Sequence, residues 1–173
     1  FCTKIYTPVI ISYLLRNVNS CYDGFRKSIR TQKSNDRKGS FDMDKQEALR
    51  SLDEKAGVLF SVSDSIWDNP ETDYTENVSS SILKEALEKE GFTVESNLAG
   101  IPTAFSGTFG SGSPVIGILG EFDALPGLSQ KAGIAEKEPL EKGGNGHGCG
   151  HNLLGAGSLA AAIAVKEYLK EKK

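Results

Sequence analysis

The sequence predicts an α/β protein, a mixed sheet flanked by helices. Three observations carry that expectation. Apolar residues recur at helical spacing in two stretches between Lys45 and Glu90. Three short extended segments follow between Phe92 and Leu119, and an Ala-rich helical segment runs from Leu153 to Glu171. The chain has 173 residues, enough for one domain with a sizeable core.

The first helix is expected from Lys45 to Ile66, because Ala48, Leu49, Leu52, Ala56, Leu59, Phe60 and Val62 recur with helical period. Asn69-Pro70 ends it. The second spans Glu76 to Glu90, with Val78, Ile82, Leu83, Ala86 and Leu87 on one face and Gly91 as C-terminal cap. Phe92 to Glu95 and Thr103 to Phe109 read as strands, followed by a turn at Gly110-Ser111-Gly112-Ser113. Pro114 to Leu119 is a continuous apolar run, expected as a central strand buried on both faces. Gly127 to Asn145 is a loop. The last helix begins with residues that are apolar nearly all round, so its start is expected to be buried.

Composition narrows the function classes. Hydrophobic residues make up 38% and charged residues 25%, and the net charge of −3 gives no nucleic-acid footprint. That average hides an asymmetry. Residues 1–42 carry eight Lys or Arg against three Asp, a net of +5, which leaves −8 for the remainder. Met43 is the only methionine, and patterned sequence begins after it. Residues 1–42 are therefore read as an extension, disordered or artefactual, and 43–173 as the folded part. A basic arm for an anionic partner is the rival reading. No segment reaches the roughly 20 apolar residues of a membrane helix. Val9 to Leu15 resembles a short signal core, but no small-residue cleavage site follows it. Three widely spaced cysteines, an odd number, suit a reducing compartment, and a cytoplasmic location is expected.

The chemistry concentrates in two places. Gly146-His147-Gly148-Cys149-Gly150-His151-Asn152 puts two imidazoles and a thiol within five residues, spaced by glycines. Thiolate and neutral imidazole are good zinc ligands, and the glycines allow a turn tight enough for Cys149 and His151 to reach one ion. Upstream, Gly120-Glu121-Phe122-Asp123-Ala124-Leu125-Pro126 sets two carboxylates just past the apolar strand, at the edge where open α/β sheets form ligand sites. Asp123 suits a supporting role, orienting a histidine ligand or a metal-bound water. Glu121 reads equally as a site-lining group or an exposed strand-end carboxylate. His147 is left open as a ligand, a substrate contact or a loop-fixing residue. Gly110 and Gly112 lack the third glycine of a dinucleotide fingerprint, and no serine stands in a Gly-x-Ser-x-Gly elbow.

Ile66-Trp67-Asp68-Asn69-Pro70-Glu71-Thr72, the stretch from Gly120 to Gln130, and Asn145 to Gly155 together resemble the amidohydrolase branch of the aminoacylase/carboxypeptidase metallopeptidases. The likeness runs from about Met43 to Lys170 and leaves out residues 1–42. It implies the N-terminal part of a phosphorylase/hydrolase-like α/β metallopeptidase catalytic domain, with a lid and dimerisation domain elsewhere. It implies two divalent ions, zinc or manganese, and a metal-activated water that attacks the amide of an N-acyl or aminobenzoyl amino acid. Cys149 and His151 match the family's Cys-Gly-His ligands, and Asp123 its supporting carboxylate. Glu121 stands where other branches have a histidine ligand, so no ligand role is carried onto it. The family's general base lies in a later Glu-Glu pair with further histidines. The chain's histidines are His147 and His151, so the expectation is a truncated chain, inactive alone. A homodimer or a related second subunit is expected of the longer form. A dipeptidase of the same family and a non-catalytic metal-binding module are the alternatives.

Overall fold

The computed structural model describes residues 50–72, 74–112 and 115–171, together with the backbone of 9–13. Strand β1 is Val9–Tyr13. Helices α1 (Ala56–Trp67) and α2 (Asn77–Lys89) follow. Strands β2 (Thr93–Ser96), β3 (Phe105–Phe109) and β4 (Ile116–Gly120) come next, then helix α3 (His151–Glu171).

The sheet is mixed, as expected, in the order β2-β3-β1-β4. β3 pairs antiparallel with both β2 and β1, and β1 pairs parallel with β4. The register sets Tyr13 opposite Phe105 on one side and Gly120 on the other. β1 lies within residues 1–42, the stretch that the sequence reading set apart as an extension. Val9-Ile10-Ile11-Ser12-Tyr13 is rich in β-branched and aromatic residues, the composition that suits a pleated strand. The rest of residues 1–42 lies outside the described residues.

β4 also departs from expectation. It stands at the edge of the described sheet, with Ile116 41% and Leu119 51% exposed. An apolar run reports the character of a strand's faces; topology decides its neighbours.

The expected first helix is broken. A helical turn at 50–53 is followed by Lys55 at φ −101°, ψ 2°, and α1 restarts at Ala56. Residues 45–49 lie outside the described residues. α1 ends where Asn69 Nδ2 donates to Ser65 O at 2.8 Å, directly before Pro70. α2 ends as predicted. Gly91 at φ 82° donates to Glu88 O at 2.9 Å, and Phe92 N donates to Leu87 O at 3.0 Å. That pair of hydrogen bonds is a Schellman cap, whose left-handed residue favours glycine.

α2 lies over β2 and β3, α3 lies over β1 and β4, and α1 packs on α3. Val62, Ile66, Leu83, Leu87, Phe92, Phe105, Phe122, Leu159 and Ile163 form one core. α2 approaches β3 so closely that a Cβ on Gly107 would stand 2.9 Å from Leu87 Cδ1. The start of α3 is buried on one side only. Asn152, Gly155 and Ala156 are buried, but Leu153 is 66% exposed. Successive helical residues turn by about 100°, so an apolar stretch wider than the core's footprint leaves some side chains outside.

Candidate functional site

The site begins where β4 ends. Phe122 turns into the core, 3% exposed, with its ring centroid 5.9 Å from that of Phe105. Glu121 and Asp123, on either side of it, turn the other way, as extended backbone requires. Leu125 and Gly146 then form an isolated antiparallel bridge, each N–H donating to the other's carbonyl at 3.0 Å. That bridge stitches the carboxylate segment to the glycine-rich loop. Glycine is needed there, because a Cβ on Gly146 would sit 2.0 Å from the Leu128 carbonyl oxygen. Gly150, at φ 72°, closes the turn by donating to His147 O at 2.9 Å, and its own carbonyl accepts from Leu153 and Leu154 as α3 begins.

His151 is therefore the first residue of α3, held between the two carboxylates. Its Nδ1 lies 2.7 Å from Asp123 Oδ1, and its Nε2 lies 3.3 Å from Glu121 Oε2. The Asp123 oxygen only accepts, so the neutral tautomer that keeps this shorter bond has its proton on Nδ1 and leaves the Nε2 lone pair free for a ligand role. Glu121, Asp123 and His151 bring one donor atom each within 4.8 Å of one another. This donor set fits a divalent ion. Two ligands at zinc's bond lengths of about 2.0–2.1 Å stand roughly 3.3 Å apart in a tetrahedron, close to the separation of Nε2 and Oε2.

His147 is 5% exposed, and its Nε2–H donates to Ile66 O at 3.0 Å. Its ring lies 6.3 Å from Trp67 and its Nδ1 has no hydrogen-bond partner. Burial pushes this imidazole below the usual histidine range, partly offset by the Ile66 carbonyl, so the ring is neutral at pH 7. Of the three roles the sequence left open, this contact fits loop fixing. A cavity of about 300 Å³ opens beside it, between Trp67, Pro70, Leu140 and Asn145.

The sequence paired Cys149 with His151 on one ion. In the folded chain Cys149 is exposed and outside the group that His151 forms with Glu121 and Asp123. Sequence spacing brought the two within reach, but the turn at Gly150 starts the helix on His151 and leaves Cys149 at the surface. Glu121, which the sequence ranked low, faces His151 directly.

Three positioning contacts went unforeseen. Asn145 Nδ2 donates to Pro70 O at 3.0 Å, and Asn152 Nδ2 donates to Ser63 Oγ at 3.1 Å. Glu71 O accepts from Ala124 N at 2.8 Å, next to Asp123. The one sequence signal for them was Asn-Pro-Glu directly after α1, a turn composition with a carboxylate left over.

Substitution Gly146→Ala is expected to cost about 2–3 kcal/mol, because the added methyl meets backbone that cannot rotate away. Gly148→Ala meets the flexible end of Leu128 at 2.5 Å and should cost less. Thermal melts of the two variants check this, and equal melting temperatures would contradict it.

No helix among the described residues is long and apolar enough to cross a membrane. No family model matches the chain. Individual proteins do. The chain is 56% identical over 110 residues to a subunit of the p-aminobenzoyl-glutamate hydrolase of Escherichia coli K12, a match covering 64% of this chain and 23% of that protein. It is 30% identical over 140 residues to the human Xaa-Arg dipeptidase, covering 73% and 28%. It is 30% identical over 126 residues to thermostable carboxypeptidase 2 of Saccharolobus solfataricus, covering 71% and 31%. The chain thus spans less than a third of the length of these relatives. The family resemblance drawn from the three motifs is borne out, and each of these relatives is a hydrolase or peptidase by name.

Proposed function

We propose that this relative of the aminoacylase/carboxypeptidase-type metallopeptidases contributes the first ligands of a metal-dependent amidohydrolase acting on an N-acyl or aminobenzoyl amino acid. The carrying observation is the His151 imidazole fixed between Asp123 and Glu121. The 56% identity to a p-aminobenzoyl-glutamate hydrolase subunit supports that substrate class.

His151 Nε2 and Glu121 would hold a divalent ion, zinc or manganese. Asp123 keeps the proton on Nδ1 and so keeps Nε2 available. Cys149, which the family likeness gives as a ligand, lies exposed outside this group and would have to turn inward through the glycines on either side of it to supply a thiolate. A pair of bound ions would polarise the amide carbonyl and lower the pKa of water from about 16 towards 7. The family likeness also implies a proton shuttle and imidazole ligands beyond His147 and His151. The same reading places the protein in a reducing compartment, the cytoplasm, and gives it a second copy or a related partner chain, since the E. coli relative is named as one subunit of its enzyme.

The second reading is a dipeptidase, favoured by the match to an Xaa-Arg dipeptidase across 73% of the chain. Assay of the protein that carries this chain, with Mn²⁺ or Zn²⁺, separates the two. Release of p-aminobenzoate from p-aminobenzoyl-glutamate at least tenfold more efficiently than dipeptide cleavage is expected, lost on chelation and reduced by Cys149→Ser. Cleavage of dipeptides alone would favour the second reading. Metal binding without turnover of either would leave a non-catalytic metal module and sink both.

A further inference from the structure

We propose that Glu71 is a positioning residue for His151, acting through the loop that carries Asp123; this deepens the metal-site reading and rests on it only for the metal readout. The main chain from Ile66 to Glu71 holds both site loops. Ile66 O accepts from His147 Nε2, Pro70 O from Asn145 Nδ2, and Glu71 O from Ala124 N. The first two bonds fix the glycine-rich loop, and the third fixes the residue after Asp123.

The Glu71 side chain anchors that segment. Its Oε1 accepts from Val78 N at 2.9 Å and its Oε2 from Ser79 N at 2.8 Å. These are orphan N–H groups in the first turn of α2. The N-cap residue, Glu76, does not serve them. Its buried carboxylate accepts instead from Tyr74 N and Thr103 Oγ1. Glu71 thus caps α2 from outside the helix, with its negative charge at the positive end of the helix dipole. A continuous path results, from the N-terminus of α2 through the Glu71 side chain and carbonyl to Ala124, then Asp123, then His151 Nδ1.

α2 itself is held by Leu83, Ala86 and Leu87 in the core, so losing the cap should loosen the segment without unfolding the helix. Asp123 then loses the anchor that sets its carboxylate 2.7 Å from the imidazole.

The test compares the full chain with Glu71→Ala, the milder Glu71→Gln, and Ile163→Val, a core control that lowers stability away from the segment. The first readout needs no metal: the hydrogen-bonded Nδ1 proton of His151, followed by NMR. It should be present in the wild type and the control, weakened in Glu71→Gln and lost in Glu71→Ala. The second is Co²⁺ affinity, expected to fall about tenfold in Glu71→Ala, the low end for losing an outer-shell partner of a metal ligand. An unchanged His151 signal in both Glu71 variants overturns the proposal. So does a loss that Ile163→Val reproduces. If the signal is lost only in the Glu71 variants while the wild type binds no Co²⁺, the positioning role stands and the metal reading fails.

Discussion

Replacing His151 with alanine is expected to raise the Zn²⁺ dissociation constant of this chain by more than 100-fold. The variant removes the one imidazole in the group and leaves only the Glu121 and Asp123 carboxylates. Oxygen ligands alone suit harder ions such as Mg²⁺ or Ca²⁺, so selectivity should shift along with affinity. Asp123→Asn keeps Nε2 but disturbs the tautomer, and should cost about 10–100-fold. His151 stands at the first position of α3, after a turn closed by backbone bonds of Gly150, so the helix should survive. Isothermal titration with Zn²⁺, read beside circular dichroism, checks both variants. Zn²⁺ binding by His151→Ala at wild-type strength would remove His151 from the site.

The largest effect on stability is expected far from the site, at Glu90. The Lys166 side chain is 2% exposed, and its ammonium donates to Glu90 O at 2.9 Å, to the Glu90 carboxylate, and to Glu167 Oε1 at 3.0 Å. Lys55 reaches the other Glu90 oxygen at 2.6 Å. This network joins the C-terminal ends of α2 and α3 to the segment before α1. Glu90→Ala leaves the Lys166 ammonium inside the protein with a weaker set of partners. Breaking a buried pair costs about 3–5 kcal/mol, and the lower figure applies because Glu167 and the Glu90 carbonyl remain. That corresponds to a melting temperature lower by roughly 10 °C. Adding Lys166→Met should recover much of the loss, since the charge left unpaired is then gone. A loss below about 1 kcal/mol would show that the network is effectively solvated.

The same network sets a pH dependence. Burial raises the Glu90 carboxyl, but Lys166 and Lys55 outweigh it, and the group ends below the usual 4.5. Its stabilisation is therefore complete above 4.5 and is lost as pH falls through the depressed value. Burial lowers the Lys166 amine, but Glu90 and Glu167 outweigh it, and the group ends above the usual 10.5. Its stabilisation is complete below 10.5 and is lost as pH rises beyond that. Melting temperatures between pH 7 and pH 3 should fall more steeply in the wild type than in Glu90→Ala.

Helical period placed α2 to within a residue at each end, and the glycine after it formed the expected cap. The two strands before the glycine turn were also legible, because short apolar runs between turn residues leave few alternatives. The apolar pattern before Trp67 did not reveal the break at Lys55, since a helix and a kinked helix share one period. β1 escaped because a five-residue run in a basic stretch has too little pattern to distinguish a strand from noise. At the site, Asp123 and His151 were named from residue type and position past a strand. Their contact, the nearness of Glu121 and the exposure of Cys149 were not visible, because each depends on a turn geometry and a bridge between distant segments.

The sequence by itself therefore determined α2, α3, the strands β2 to β4 and which residue types are available for chemistry. Local period, caps and turn residues act over a few positions and are written in the chain. Tertiary structure alone decided that β4 lies at the edge of the described sheet, that Glu121 and not Cys149 faces His151, and that Glu71 ties α2 to the Asp123 loop. Those outcomes rest on hydrogen bonds between residues far apart in the chain, with 81 positions between His147 and Ile66 and 89 between Asn152 and Ser63. Such bonds form only once the helices have packed on the sheet and brought the loops together.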